Sequence, residues 1–176
     1  MNYHEDAPLA PAGKSRFRQR MNRWAALGLF LLASFTAATI GGVATVESVR
    51  SWYPTLVKPA WNPPAAVFGP VWTLLYTAMS VAAWRIWLRR EQPGTKAALR
   101  LFFVSLGLNA LWSVLFFGLH QPGWALLEIL LLWASLVALL IRFWRLDAIA
   151  SWLWALYVAW VTFATALNAA IAWLNR

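Results

Sequence analysis

RSWYPTLVKPAWNPPAAVFGPVWTLLY, residues 50–76, lies between two long apolar runs and holds five of the nine prolines of the chain. It also carries four aromatic side chains of a kind that ordinary loops rarely contain: Trp52, Tyr53, Trp61 and Trp72. Proline fixes φ and biases the preceding residue towards extended backbone, so such a loop loses less entropy on ordering. The stretch predicts a stiff aromatic lid at a membrane edge. An interfacial belt of aromatic residues is the plainer alternative, but a belt does not require five prolines.

The composition indicates an integral membrane protein. Apolar residues make up 61% of the 176 residues and charged residues only 12%, whereas a soluble domain carries about 25% charged residues. The chain has no cysteine, which excludes disulfides, thiolate catalysis and cysteine metal sites. The net charge of +9 comes from basic residues clustered at the ends of apolar runs. This pattern is a topology signal and does not indicate a nucleic-acid partner.

The apolar runs predict an all-α fold, a bundle of five transmembrane helices that forms one membrane domain over residues 24–175. Each run is long enough to span the ~30 Å hydrocarbon core of a bilayer. Residues 1–23 are polar and contain five basic side chains, and we expect them to form a disordered cytoplasmic tail. The predicted spans cover residues 24–46, 66–88, 98–119, 123–143 and 148–173.

The distribution of Lys and Arg predicts the orientation of the bundle. One side of the membrane receives twelve of these residues: five from the tail, five from the connector between the second and third helices, and two from the connector between the fourth and fifth. The opposite side receives three, namely Arg50, Lys58 and Arg176. This positive-inside bias predicts a cytoplasmic N-terminus, with the Pro/Trp loop on the other side, and favours a bacterial inner membrane.

Three of the predicted helices each carry a stripe of aromatic, amide and small residues on one face. Such stripes predict a shared aromatic cavity with a few polar anchors, suited to a flat and mostly apolar ligand. The alternative is that Asn109 and Asn168 bond across helices while the aromatic rings fill the core. The stripes comprise Trp72 and Tyr76 on the second helix, Asn109, Trp112 and Phe116 on the third, and Tyr157, Trp160, Ala164 and Asn168 on the fifth.

Candidate residues for catalysis or metal binding are few. Glu128 is the one acid within a span, and an intramembrane acid is a functional hypothesis by default. Because it follows Pro122 by one to two turns, we expect it instead to reach the interface or bond a neighbour. His120 is a single histidine at a turn and does not make a metal site by itself. No Ser/His/Asp set, phosphate-binding glycine loop or carboxylate pair is present.

The sequence resembles the TspO/translocator protein family, also called tryptophan-rich sensory proteins or peripheral-type benzodiazepine receptors. Three motifs carry the resemblance, which covers about residues 24–175. They are WYPTLVKPAWNPPAAVFGPVWTLLYTAMSVAAWR (Trp52 to Arg85), LNALWSVLFFGLHQPGWAL (Leu108 to Leu126) and YVAWVTFATALN (Tyr157 to Asn168).

The resemblance implies a five-helix bundle, usually a homodimer, with an aromatic cavity closed by the first loop. It implies porphyrins such as protoporphyrin IX and haem as ligands, with no required cofactor. A mammalian-type sterol site is in doubt, because Leu167-Asn168 is followed by two alanines where mammalian members have a tyrosine. Mapped onto this sequence, the pocket of the family falls on Trp52, Tyr53, Trp61, Asn62, Pro63, Trp72, Asn109, Trp112, Tyr157, Trp160 and Ala164.

These features together predict a membrane receptor or carrier for tetrapyrroles, with a role in their regulation or transport and in stress response. The porphyrin would stack on Trp72 and Trp160 and accept a hydrogen bond from Asn109. Its carboxylates would pair with Arg50 or Lys58 near the outer interface. The alternative is an enzyme that degrades protoporphyrin IX in light and oxygen through Trp72 and Trp160. A scaffold whose partner binding changes with ligand occupancy is a third possibility.

Overall fold

The fold is a bundle of five long helices without strands over the part of the chain that the structure describes. This structure is a computed structural model that describes residues 12–176, with side chains from Arg23 onward. Every helix is long and apolar enough to cross a membrane, so the predicted all-α membrane fold is confirmed. The helices are α1 (Ala12–Arg50), α2 (Ala65–Trp87), α3 (Thr95–Ser113), α4 (Pro122–Leu146) and α5 (Ala148–Leu174).

The first helix is longer than predicted at both ends. In the structure α1 already begins at Ala12, within the stretch for which the sequence predicts a disordered tail. Residues 14–23 contain no glycine or proline and are rich in Lys, Arg, Gln and Met, which favour helix. The other part of the predicted tail, residues 1–11, lies outside the described residues. At its far end α1 continues to Arg50 and stops just before the Trp-Tyr-Pro sequence of the lid.

The helices pack in a ring in the order α1, α2, α5, α4, α3 and back to α1. The centre is filled by side chains without solvent exposure from four of the helices, among them Met79, Phe102, Leu136 and Trp154. Helices α1 and α3 lie close together at Gly41, where an added Cβ would lie 2.9 Å from the Ser113 Oγ. Small residues at such positions let helices approach closely in membranes.

An ion-pair cluster joins three elements at the end of the bundle opposite the lid. The buried carboxylate of Asp147 accepts hydrogen bonds from Arg85 at 3.1 and 3.0 Å and pairs with Arg89 at 2.5 Å. It also caps α5 by accepting the Ala150 N–H at 2.8 Å. Burial alone would raise the pKa of Asp147, but the hydrogen bonds from Arg85 and Ala150 and the two arginine charges outweigh burial and lower it.

At the lid end, α3 changes its winding before the chain turns into α4. Residues Val114–Gly118 form a π-helical turn, closed by a 2.8 Å bond from the Leu119 N–H to the Val114 carbonyl. His120 then adopts a left-handed backbone with φ of 55°, which is uncommon outside glycine. Such π-turns frequently occur at functional sites, and this one places Phe116 and Phe117 against the cavity described below.

Candidate functional site

A large cavity lies beneath the lid, which we define as residues 51–64 between α1 and α2. It encloses about 450 Å³, within the range of small-molecule sites. Its wall is built from α1, α2, α5, the last turn of α3 with its π-turn, and Tyr53 of the lid. Most of this wall is aromatic or aliphatic, so the cavity suits a flat and largely apolar molecule.

Two tryptophans face each other across the α2–α5 side of this cavity. The ring centroids of Trp72 and Trp160 are 6.4 Å apart and their planes are nearly perpendicular at 83°. Phe68 packs edge-on against Trp160 at 6.0 Å, and Tyr76 lies 5.5 Å from Trp72. Neither indole N–H of the Trp72–Trp160 pair has a hydrogen-bond partner among the described residues. Both donors therefore remain available to a ligand.

The buried amides near the wall are hydrogen-bonded across helices, whereas the Tyr157 hydroxyl has no partner among the described residues. Asn109 donates its amide to the Tyr76 hydroxyl at 2.7 Å. Asn168 accepts the Trp112 indole N–H at 3.0 Å and donates to the Pro122 carbonyl at 2.8 Å. These bonds satisfy buried amides that would otherwise be costly in a bilayer. The cross-helix bonding that we considered as an alternative for Asn109 and Asn168 is therefore present alongside the cavity.

The lid is held in shape by its own hydrogen bonds. Tyr53 donates its hydroxyl to Asn62 at 2.7 Å, and the Asn62 amide donates to the Pro63 carbonyl at 3.1 Å. Burial raises the pKa of the Tyr53 phenol, which the Asn62 bond partly offsets, so the phenol stays a neutral donor. Lys58 donates its ammonium to the carbonyls of Tyr53 and Leu56, both at 2.8 Å.

Several contacts fasten the lid to the bundle, and two of them lie at its middle and at its start. At one, the Asn175 side chain of the α5 end accepts the Val57 N–H and donates to the Val57 carbonyl, each at 2.9 Å. At the other, the Trp52 indole stacks on the His120 ring at 4.3 Å. The His120 Nε2 lies 2.9 Å from the Ser48 Oγ. Because Ser48 donates its one hydroxyl hydrogen to the Phe117 carbonyl, the His120 ring is the donor in their bond.

Of the twelve predicted site residues, half lie on the cavity wall: Tyr53, Trp72, Tyr76, Trp112, Trp160 and Ala164. The other half lie outside it, because only some of the side chains on a helical stripe or a short loop reach the cavity surface. Among these, Asn109 and Tyr157 are buried behind the wall. Trp52 stacks on His120, and Trp61, which is 50% exposed, packs edge-on against Phe163. Asn62 and Pro63 serve the internal bonding of the lid.

The contribution of α1 to the cavity was not predicted from the sequence. This helix supplies Phe35, Thr39, Gly42 and Thr45, among others, to the wall. These residues are mostly small and carry no aromatic stripe, so no chemical signal distinguished them. Phe68, Phe117 and Phe163 were also missed, although Phe116 was on the predicted stripe of the third helix.

Glu128 does not behave as expected. Its side chain is only 6% exposed, and neither carboxylate oxygen has a hydrogen-bond partner among the described residues. The expectation that it reaches the interface or bonds a neighbour was therefore wrong. The reason is its position on α4, since it follows Ala125 by one turn on the face that also buries Leu132 and Leu136.

The chain is similar to characterised proteins over most of its length. Protein CrtK of Rhodobacter capsulatus is 36% identical over 150 residues, covering 85% of this chain and 94% of CrtK. The tryptophan-rich protein TspO of Chlorobaculum tepidum is 38% identical, with 85% of this chain and 92% of that protein covered. The human translocator protein is 36% identical, with 79% and 83% covered.

The family assignment follows from these similarities together with the fold. A family model described as TspO/MBR matches residues 29–174, which includes the lid, the cavity and nearly all of the five spans. The relatives cover at least 79% of the chain at identities of 36% or more. The chain therefore belongs to the TspO/MBR family of integral membrane proteins.

Proposed function

We propose that the protein is a membrane receptor or carrier that binds a porphyrin in the cavity beneath the lid. The observation that carries this proposal is the pair of unpartnered indole N–H groups of Trp72 and Trp160 in an otherwise apolar aromatic cavity. A porphyrin is flat and apolar over its macrocycle, so aromatic rings at its faces and edges contribute stacking and dispersion. Its biological role would be in tetrapyrrole regulation or transport and in stress response.

The polar edge of the porphyrin would lie towards the lid. Val49 lines the cavity, and the next residue, Arg50, is exposed. Lys58 is a weaker candidate for pairing with a propionate, because its ammonium already donates to lid carbonyls. We therefore assign the carboxylate contact to Arg50. Asn109, the hydrogen-bond donor expected from the sequence, would instead act through Tyr76, to which its amide is bonded.

The test is a comparison of two double variants by titration with protoporphyrin IX in the dark. Trp72→Phe with Trp160→Phe removes both free indole donors but keeps two aromatic rings, so we expect a clearly weaker affinity for porphyrin. Trp144→Phe with Trp152→Phe is the matched control, because these tryptophans are 58% and 66% exposed and lie off the cavity. Equal affinities in the two double variants would contradict the assignment.

A second candidate function is light-dependent degradation of the bound porphyrin. The observation that favours it is the pairing of Trp72 and Trp160 at 6.4 Å on the cavity wall, which would place an indole next to any ring bound against this pair. An excited porphyrin can exchange an electron with a neighbouring indole, and oxygen is then the co-reactant. Illumination in oxygen followed by product analysis distinguishes the candidates. A discrete open-chain tetrapyrrole supports an enzyme, and nonspecific bleaching supports a receptor or carrier.

We further propose that the protein lies in a bacterial inner membrane with its N-terminus in the cytoplasm and its lid outside. The twelve-to-three distribution of basic residues supports this orientation. The chain lacks cysteine, so single-cysteine variants report topology directly. A membrane-impermeant maleimide applied to spheroplasts is expected to label Ser51→Cys at the lid and to leave Gln92→Cys unlabelled. The reverse labelling would contradict the orientation.

A homodimer is the oligomeric state that we propose, on the basis of the similarity to the TspO/MBR family. Exposed apolar side chains occur on several helices, including Leu29 and Val43 on α1, but an apolar exterior is also what a lipid-facing surface requires. Mass determination of the protein in nanodiscs tests the proposal. A particle with two chains supports it, and a single chain per nanodisc over a wide range of protein-to-lipid ratios contradicts it.

A further inference from the structure

We infer that the ligand of the cavity reaches it from the bilayer, through an opening between α1 and α2, while the lid stays closed. This inference rests on the proposed porphyrin function and adds the route. Three observations support it: the exposed part of the cavity wall lies on α1 and α2, the other sides are closed, and the opening is apolar.

The exposed part of the cavity wall lies on two facing helices. Among the wall residues, the exposed ones are Phe35 and Thr39 on α1, and Ala65, Gly69 and Thr73 on α2. Each set repeats every four residues, so each forms one stripe along its helix. All other wall residues are buried or half-buried. The two stripes therefore form the rims of one opening.

The remaining sides of the cavity are closed by close contacts. Between α1 and α3, Gly41 leaves no room for even a Cβ beside Ser113. Between α2 and α5, Trp160 contacts both Phe68 and Trp72. Asn168 of α5 bonds to Trp112 of α3, which closes that side as well. These contacts close the cavity on the sides away from the α1–α2 opening.

The lid end is fastened at several places, and at one of them the Trp61 ring packs against Phe163 of α5. The paired Asn175–Val57 hydrogen bonds hold the middle of the lid to α5. The stack of Trp52 on His120 holds its beginning to the turn between α3 and α4. Opening the lid would break these contacts at once, whereas the α1–α2 opening requires no bond to break.

The opening is apolar in spite of its threonines. Thr39 donates its hydroxyl to the Phe35 carbonyl at 2.8 Å, and Thr73 donates to the Gly69 carbonyl at 3.0 Å. With their donors engaged in their own helices, both side chains present mainly methyl groups to the opening. Thr73 is eight residues into α2, roughly 12 Å along its axis. The opening thus faces the hydrocarbon layer, and it suits a flat apolar molecule dissolved in lipid.

The test measures the rates of protoporphyrin IX binding and release by the full-length protein in lipid nanodiscs. Thr73→Phe narrows the opening, and we expect both rates to fall several-fold. Gly69→Leu is a second narrowing variant, because a Cβ on Gly69 meets no atom within 4 Å. Leu74→Phe is the matched control, since Leu74 is 62% exposed on a different face of α2 and does not line the cavity.

Asn175→Ala tests the competing route through the lid. It removes both bonds to Val57, so it would accelerate binding and release several-fold if the ligand passed there. We expect its rates to equal those of the unaltered protein. Faster rates in Asn175→Ala, or unchanged rates in both narrowing variants, would overturn the inference while leaving the proposed function intact. Absence of any saturable porphyrin binding by the unaltered protein would overturn the proposed function and this inference with it.

Discussion

Asn109 illustrates how single residues behind the cavity wall contribute to the site. Its side chain is 2% exposed, and it donates an amide hydrogen to the hydroxyl of Tyr76 on the wall. A buried phenol can rotate unless a partner holds it, and in a bilayer an unpaired polar group is expensive. Asn109 is therefore a positioning residue for Tyr76, and its effect on a ligand is indirect.

We predict that Asn109→Ala destabilises the protein by about 1–3 kcal/mol, because the Tyr76 hydroxyl loses its partner in a buried environment. Porphyrin affinity should fall less than in the Trp72/Trp160 double variant. The measurement is thermal unfolding in detergent together with a porphyrin titration.

The control for Asn109→Ala removes both polar partners at once. Tyr76→Phe combined with Asn109→Leu leaves no unpaired polar atom, so we expect it to be more stable than Asn109→Ala. If Asn109→Ala unfolds at the same temperature as the unaltered protein, the hydrogen bond to Tyr76 contributes nothing and the positioning role is wrong.

At the scale of whole elements, the connector between α4 and α5 depends on a single carboxylate. Asp147 caps α5 and binds Arg85 and Arg89 of α2 and its following turn. Removing the partners of a buried carboxylate strongly destabilises a fold, because an uncompensated charge then stays buried. One residue therefore joins the start of α5 to the end of α2 at the end of the bundle away from the lid.

The lowered pKa of Asp147 predicts a specific dependence of stability on pH. A carboxyl group whose folded-state pKa is below its unfolded value stabilises the fold above the unfolded value, about 3.9. That contribution is lost as the pH falls through the folded-state pKa. We expect Asp147→Asn to lower the unfolding temperature at neutral pH and to flatten its decline in acid.

Glu91→Gln is the control for Asp147→Asn. Glu91 pairs with Arg90 at 3.7 Å, but its side chain is 93% exposed, so its removal should change stability by less than about 1 kcal/mol. Circular dichroism during heating, repeated from neutral to acidic pH, gives both curves. A steep acid transition that survives in Asp147→Asn would assign the pH dependence to another group.

The packing of α1 against α3 gives a second prediction at this scale. Alanine is a better helix former than glycine by roughly 0.5–1 kcal/mol. Gly28→Ala should raise the free energy of unfolding by that amount, because a Cβ there meets no atom within 4 Å. Gly41→Ala should instead lower the unfolding temperature, because its Cβ would lie 2.9 Å from the Ser113 Oγ. If both variants are stabilised equally, the close approach of the two helices is not a constraint.

At the scale of the whole molecule, the fold was predictable because each span is a long and mostly apolar run between charged or proline-rich connectors. The stiff segment between α1 and α2 was predictable because an aromatic belt, the plainer alternative, does not require five prolines. The exact membership of the cavity wall was not, since residues such as Asn109 and Tyr157 share a helical stripe with wall residues but lie one layer deeper. The small residues of α1, such as Thr39, lie on the cavity wall only because α1 packs beside α2.

The burial of Glu128 also could not be inferred from the sequence. Its distance from the turn at Pro122 suggested a position near the interface, yet the rotation of α4 turns it into the protein. Sequence spacing defines which residues share a helix face, and it does not define which way that face points until the neighbouring helices are placed.

Porphyrin binding in the cavity is tested most directly by quenching of the tryptophan fluorescence of the unaltered protein by protoporphyrin IX, measured in the dark. With Trp72, Trp160 and Trp112 on the cavity wall, a bound porphyrin would quench several indoles at once. We predict saturable quenching with one porphyrin per chain and a dissociation constant of about 1 µM or tighter, roughly −8 kcal/mol. Quenching that rises linearly without saturation would mean that porphyrin only partitions into the surrounding lipid or detergent. That result would contradict porphyrin binding in the cavity.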